Sequence, residues 1–142
     1  MQRERQRIIV LCHGCFDLLH VGHVRHLKAA KTFGGRLVVS LSRDDDVRKL
    51  KGAGRPIYRL EERMEVIAAL AFVDEVIVSN CASGADAILK VRPNIFCKGV
   101  DYSGKGICRE ERDACADVGA VVRYTDTEKR SVREDMEKCA SS

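Results

Sequence analysis

Tryptophan is absent from this chain of 142 residues, aromatic residues make up only 5 %, and proline occurs twice. So few rings exclude the interleaved stacking surface on which single-strand nucleic-acid binders rely. Charge of one sign is also scarce. The 25 Lys+Arg set against 21 Asp+Glu leave a formal +4, mixed along the chain, which argues against a nucleic-acid surface. No apolar run reaches the roughly 18 residues of a membrane span. Residues 1–7 are polar and charged rather than a signal peptide, so a cytoplasmic location with no membrane partner is expected.

Hydrophobic residues make up 45 % of the chain, which suffices for a packed interior, and the length suits one domain over residues 1–142. Residues 1–6 read as a flexible N-terminal tail. The 7 cysteines are an odd number without a secretory segment, so reduced thiols, mostly small core residues, are expected rather than a disulfide framework.

Residues 7–12 form a short β-branched run followed by Gly14, which predicts a buried strand. Val21, Val24, Leu27 and Ala30 recur at helical spacing, and Gly34-Gly35 closes that helix. Further strands are predicted at residues 36–41, 76–78, 94–97, which Gly99 breaks, and 120–124. Helices are predicted between them at residues 61–70 and 108–118, with capping boxes at Ser42/Asp45, Ser83/Asp86 and Ser131/Glu134 opening others. Strands alternating with helices imply parallel crossovers, hence an α/β, Rossmann-like, doubly wound sheet of about five strands. Ligands in such sheets sit beyond strand C-termini, which directs attention to the loops after strand one, after Cys97 and after Tyr124.

All four histidines, His13, His20, His23 and His26, lie where the first strand runs into the first helix. His20 and His23 bracket Gly22 one turn apart at the helix start, where unpaired N–H groups and the positive dipole end favour an anion. Two imidazole donors there strengthen as negative charge builds on phosphoryl oxygens, and glycine permits close approach. His26, a turn further on, reads as an ordinary surface histidine, and His13 is left without a role.

The stretch Gly14-Cys-Phe-Asp-Leu-Leu-His-Val-Gly-His23 resembles the phosphate-binding motif of the cytidylyltransferase-like nucleotidyltransferase superfamily. The resemblance continues through Leu50-Lys-Gly-Ala-Gly-Arg-Pro-Ile57, Glu62-Arg63, Val73-Asp-Glu-Val76, Arg92-Pro93 and Lys98-Gly-Val-Asp-Tyr102. It looks nearest to the nucleotidyltransferase domain of bacterial heptose-phosphate enzymes, and next to glycerol-3-phosphate cytidylyltransferase. It implies attack of a substrate phosphate on the α-phosphorus of ATP or CTP, pyrophosphate release and no covalent intermediate. By the same likeness His20 and His23 hold the triphosphate as catalytic residues, and Asp17 has a catalytic or orienting role. Gly14, Cys15, Phe16 and Gly22 line the nucleotide, as do Lys98 and Asp101 after the fourth strand. Lys51, Arg55 and Arg63 neutralise triphosphate or substrate phosphate. Mg²⁺ is expected to arrive with the triphosphate, held by phosphate oxygens and water rather than by a protein cage. Relatives commonly form dimers, with which a homodimer here is compatible.

Departures from the family pattern matter too. Ala71 stands where glycerol-3-phosphate enzymes often carry arginine, which argues against that substrate. Near the end, Lys129, Arg130 and Ser131 offer a grip on the triphosphate, yet the hydroxyls that usually follow the serine are missing. That loss leaves a catalytically silent nucleotide sensor as a competing reading. The segment 99–106 nearly spells a P-loop, but Gly106 replaces the metal-binding hydroxyl. Cys12-His-Gly-Cys15, with His20 and His23, supplies the spacing of a thiol-redox or zinc module. Against redox chemistry, residues 16–19 separate those thiols from the helix start.

Overall fold

The computed structural model describes residues 2–99 and 106–126. In chain order they form α1 (Gln2–Arg7), β1 (Ile9–Gly14), α2 (Val21–Lys31), β2 (Arg36–Ser42), α3 (Asp44–Lys51) and α4 (Leu60–Ala68). Then follow β3 (Glu75–Ser79), α5 (Ala85–Val91), β4 (Ile95–Gly99), α6 (Arg109–Val118) and β5 (Val121–Thr125). The five strands make one sheet in the order β3-β2-β1-β4-β5, and every adjacent pair is parallel. Among the described residues no helix is long and apolar enough to cross a membrane.

Strand β1 is central because its middle residues are apolar toward both faces: Val10, Leu11 and Cys12 are fully buried. Alternation sends Val10 and Cys12, with Val39 and Leu41 of β2, into a core that includes Leu27 and Ala30 of α2 and Ile67 of α4. Leu11, Val38 and Phe96 point to the other face, where Ala87 and Ile88 of α5 and Ala114 and Cys115 of α6 cover them. Fully burying a Leu, Ile or Phe side chain stabilises the fold by roughly 1.5–3 kcal/mol. The chain winds outward from β1 through β2 to β3, then returns to β4 on the far side of β1. A crevice therefore opens at the strand C-termini between β1 and β4.

Several local expectations are corrected. The expected tail at residues 1–6 is helical from Gln2 as α1. The Ser42/Asp45 box does not form, because Ser42 is the last residue of β2 and its Oγ turns to His13 Nε2 at 3.2 Å and to the Ala82 carbonyl. Arg43 holds the cap position of α3 without a side-chain bond. Gly84, not Ser83, caps α5, and the Asp86 carboxylate accepts the Asn80 N–H instead of closing a box. Gly99 is the final residue of β4 and not its breaker. The third box, Ser131/Glu134, lies outside the described residues.

Candidate active site

The loop from Gly14 to His20 turns sharply so that α2 starts beside the end of β1. Phe16 adopts φ 46°, a left-handed conformation costly for an aromatic residue, and is 8 % exposed. Its ring meets the His23 ring edge-on at 5.5 Å. A side chain at Gly14 would put Cβ 2.8 Å from Phe16 Cε2, so glycine is required for that packing.

His20 occupies the N-cap of α2, where Ser, Thr, Asn or Asp is usual. Its Nδ1 accepts the Gly22 N–H at 3.0 Å, while His23 Nδ1 accepts the His20 N–H at 3.2 Å, making a reciprocal box of two imidazoles. With both Nδ1 atoms acting as acceptors, the proton of each neutral ring resides on Nε2. The ring centroids are 4.0 Å apart. His23 is pushed down to about 4 by burial first, then by its electrostatic interactions with His20, Lys51 and His26. At neutral pH it is therefore an uncharged N–H donor. Lys51, at the exposed end of α3, is thereby placed within electrostatic reach of the pair.

Asp17 is 1 % exposed at its side chain, and its carboxylate accepts the N–H groups of Ile57 and Tyr58 at 2.8–2.9 Å and pairs with Arg55 at 3.1 Å. Burial alone would raise its pKa; the Tyr58 and Ile57 N–H groups and the Arg55 guanidinium outweigh that and lower it. Of the two roles expected for Asp17, this geometry supports the orienting one: the residue fastens the basic loop before α4 to the motif loop. Arg55 keeps about a third of its side chain exposed beside it, accessible to an anion.

Arg63 corrects the expectation of a phosphate contact. Its side chain is fully buried, donating from Nε to the Tyr58 carbonyl, from Nη1 to the carbonyls of Cys15 and Ser42, and from Nη2 to Asp44 at 2.7 Å. Four of five N–H donors are engaged with the protein, so the guanidinium braces three loops from behind.

On the opposite wall, Lys98 Nζ lies 3.0 Å from Glu111 Oε1 and keeps 32 % of its side chain exposed. Glu111, the N3 residue of α6, also accepts the Gly84 N–H at 2.9 Å and the Cys108 N–H. Burial alone would raise this carboxyl, and the Gly84 N–H and Lys98 more than reverse that. His13 Nδ1 bonds Ser40 Oγ at 2.8 Å, and Nε2 lies 3.0 Å from the Ala82 carbonyl. That carbonyl can only accept, so Nε2 carries the proton and Ser40 donates to Nδ1. Burial, the leading influence, lowers the His13 pKa.

His13, Ser42 and Glu111 were not found from the sequence, although a signal exists. His13, Ser40, Ser42 and Lys98 share the strand parity of Leu11, Val38 and Phe96, which turns them all to the α5/α6 face. His26, expected at the surface, is half-buried, with Nδ1 2.5 Å from Thr125 Oγ1. Cys15 is half-buried on the motif loop, whereas Cys12 is enclosed in the core against Cys97, and its thiol pKa is pushed up by that hydrogen bond and by burial. Such a thiol is a poor nucleophile. Gly22 is buried in the first turn of α2. Asp101, Lys129, Arg130 and Ser131 lie outside the described residues.

Residues 11–140 match the family model described as cytidylyltransferase-like. The bifunctional protein HldE of Methylococcus capsulatus is 47 % identical over 103 residues, which are 72 % of this chain and 22 % of that protein. HldE of Coxiella burnetii (strain Dugway 5J108-111) is 48 % identical over 100 residues, 70 % of this chain and 21 % of that protein. The chain thus spans about a fifth of the length of these curated relatives. A solved structure, the lipopolysaccharide core biosynthesis protein from Thermoplasma volcanium GSS1, superposes with TM-score 0.71 at 28 % identity, covering 86 % of this chain and 98 % of that one. The family match begins inside β1 and runs through both walls of the crevice and past the last strand, and on that extent the chain belongs to the cytidylyltransferase-like family.

Proposed function

We propose that the chain transfers a nucleotidyl group from ATP or CTP to a small phosphorylated substrate, a sugar phosphate such as heptose 1-phosphate. The observation that carries this is the reciprocal histidine box, which holds two Nε2–H donors at the positive end of α2. An oxygen of the acceptor phosphate attacks the α-phosphorus, the bond to the bridging oxygen breaks, and pyrophosphate leaves with that electron pair. The imidazoles bond the phosphoryl oxygens as charge accumulates, which needs neither a covalent intermediate nor proton loss from the enzyme. Lys51 and Arg55 supply nearby positive charge for the triphosphate or the acceptor phosphate.

The donor set suits Mg²⁺ brought in by the nucleotide. The Asp17 and Glu111 carboxylates are already engaged by protein N–H groups and cations, and among the described residues no three His, Cys, Asp or Glu side chains group as ligands. Triphosphate oxygens and water would hold the ion, whose contribution is to neutralise phosphate charge.

The heptose-type acceptor draws support from the HldE relatives and from the lipopolysaccharide core protein among similar structures. The test is incubation with Mg²⁺, each nucleoside triphosphate and a panel of sugar and polyol phosphates, reading pyrophosphate and the nucleotide-sugar product. Release with ATP or CTP and a sugar 1-phosphate is expected. Release only with glycerol 3-phosphate would reassign the acceptor, and tight triphosphate binding without release under any combination would make the chain a nucleotide sensor.

A further inference from the structure

His26 stands outside the reciprocal box, yet it shares a flank of α2 with the two rings that form it. His20, His23 and His26 follow at intervals of three residues, and residues so spaced are neighbours along a helix. His26 is half-buried, and its Nδ1 meets Thr125 Oγ1 at 2.5 Å across 99 positions of sequence. Thr125 is 2 % exposed and is the last residue of β5, the strand at one margin of the sheet.

A second contact joins the same two elements further along. The Arg123 guanidinium lies over the Phe33 ring, 4.1 Å from its centroid, just past the C-terminal end of α2. Arg123 and Thr125 are two residues apart on β5 and so project from one face. Cys97, the partner of Arg123 in the register of β4 and β5, belongs to the core that Leu27 and Ala30 of α2 cover, which identifies that face as the helix side. The helix is thus pinned to the marginal strand at two levels.

Apolar packing alone leaves the roll of a helix loosely set, because hydrophobic contact is non-directional. A hydrogen bond is directional and weakens steeply out of alignment. The bond to Thr125 lies one turn from the imidazole pair, so a roll of α2 that swings His26 off the hydroxyl carries His20 and His23 with it. A roll of about 10° moves a ring at the ~5–6 Å radius of the helix by about 1 Å. A misplacement of that size can cost on the order of 10²-fold in rate.

We propose that His26 is a positioning residue: through its bond to Thr125 it fixes the roll of α2 against β5, and thereby the aim of the His20 and His23 rings at the reacting phosphoryl group. The proposal rests on the nucleotidyl-transfer reading above and adds to it that the marginal strand, not the helix alone, sets the geometry of the pair.

The test uses the full chain as wild type, His26→Leu, His26→Asn, Thr125→Val and the double variant His26→Leu/Thr125→Val. Leucine keeps apolar bulk without the bond, asparagine returns a polar atom close to the place of Nδ1, and valine removes the Thr125 hydroxyl while keeping the His26 ring. Pyrophosphate release is measured with Mg²⁺, ATP or CTP and the acceptor that supports it, beside long-range ¹H–¹⁵N spectra of the imidazoles. His26→Leu and Thr125→Val should each lower kcat about 10-fold or more, with KM for both substrates within about 3-fold. The double variant should be no worse than the poorer single one, and His26→Asn should recover kcat to within about 3-fold of wild type. The His20 and His23 ring signals should move in His26→Leu and Thr125→Val and return in His26→Asn. Full turnover in His26→Leu, additive losses in the double variant, failure of asparagine to restore kcat, or unmoved ring signals would each overturn the proposal. If His26→Leu fails to fold, Thr125→Val decides by the same two readouts. Should wild type release no pyrophosphate under any combination, ring signals that move and return as expected would leave the positioning role standing and sink the transfer reading.

Discussion

His23 carries two functions that separate under titration and substitution. As a neutral ring it accepts the His20 N–H at Nδ1 and carries its own proton on Nε2. Replacing it with alanine removes one transition-state donor, so His23→Ala should lower kcat about 10²–10³-fold, with the far-ultraviolet circular dichroism unchanged. A variant of full turnover would exclude the ring from the reaction. Its acid dependence has a defined sign. The folded value of about 4 lies below the ordinary 6.5, so the unfolded chain binds more protons between those values. Stability from this group is complete above about pH 6.5 and is lost as pH falls toward 4. Urea midpoints measured over that range should fall with decreasing pH in wild type and more gently in His23→Ala.

At the scale of elements, Arg63 and Asp17 tie loops that the chain leaves far apart. Arg63→Ala would leave the Cys15, Ser42 and Tyr58 carbonyls without that donor and Asp44 without its partner, at a cost of about 3–5 kcal/mol. Denaturant unfolding measures this directly, and a stable Arg63→Ala with only a raised KM for a phosphate would return the residue to the binding role expected from sequence. That expectation failed for a physical reason: a Glu-Arg step on a helix looks the same whether the guanidinium faces solvent or three carbonyls. The elements themselves were legible, because β-branched runs and apolar spacing fix β1, β2, α2 and α4. The caps were less so. Ser42 satisfies the sequence rule for a capping box, but its hydroxyl belongs to a tertiary bond with His13 that no local pattern reveals. The reciprocal contact of His20 and His23 lies between residues that neighbour each other in sequence and could be anticipated there, whereas the partners of Glu111, Lys98 and Gly84, are brought to it only by the sheet order.

Across the whole molecule, the two faces of the sheet divide the thiols by accessibility. Cys12 and Cys97 are sealed on one face, Cys115 is buried on the other, and Cys108 is exposed. Under native conditions a thiol reagent should modify Cys108 ahead of Cys12 and Cys97, which react only on unfolding, as peptide mapping would show. Early loss of Cys12 would revive a redox role for the pair it forms in sequence with Cys15. The central position of β1 has another outcome, in time rather than space. Its partner β2 follows within the same helical crossover, but the Asn94 side chain that receives the Ile9 amide, and β4 just beyond it, arrive 85 positions later. A chain emerging from the ribosome can assemble β1, β2 and β3 while the other margin of β1 stays bare, and closing that long span is the entropically slower step. Pulse-labelled refolding should therefore protect the amides of β2 and β3 before those of β4 and β5. The histidine loop would then exist for an interval as half a pocket, facing water where its second wall will stand.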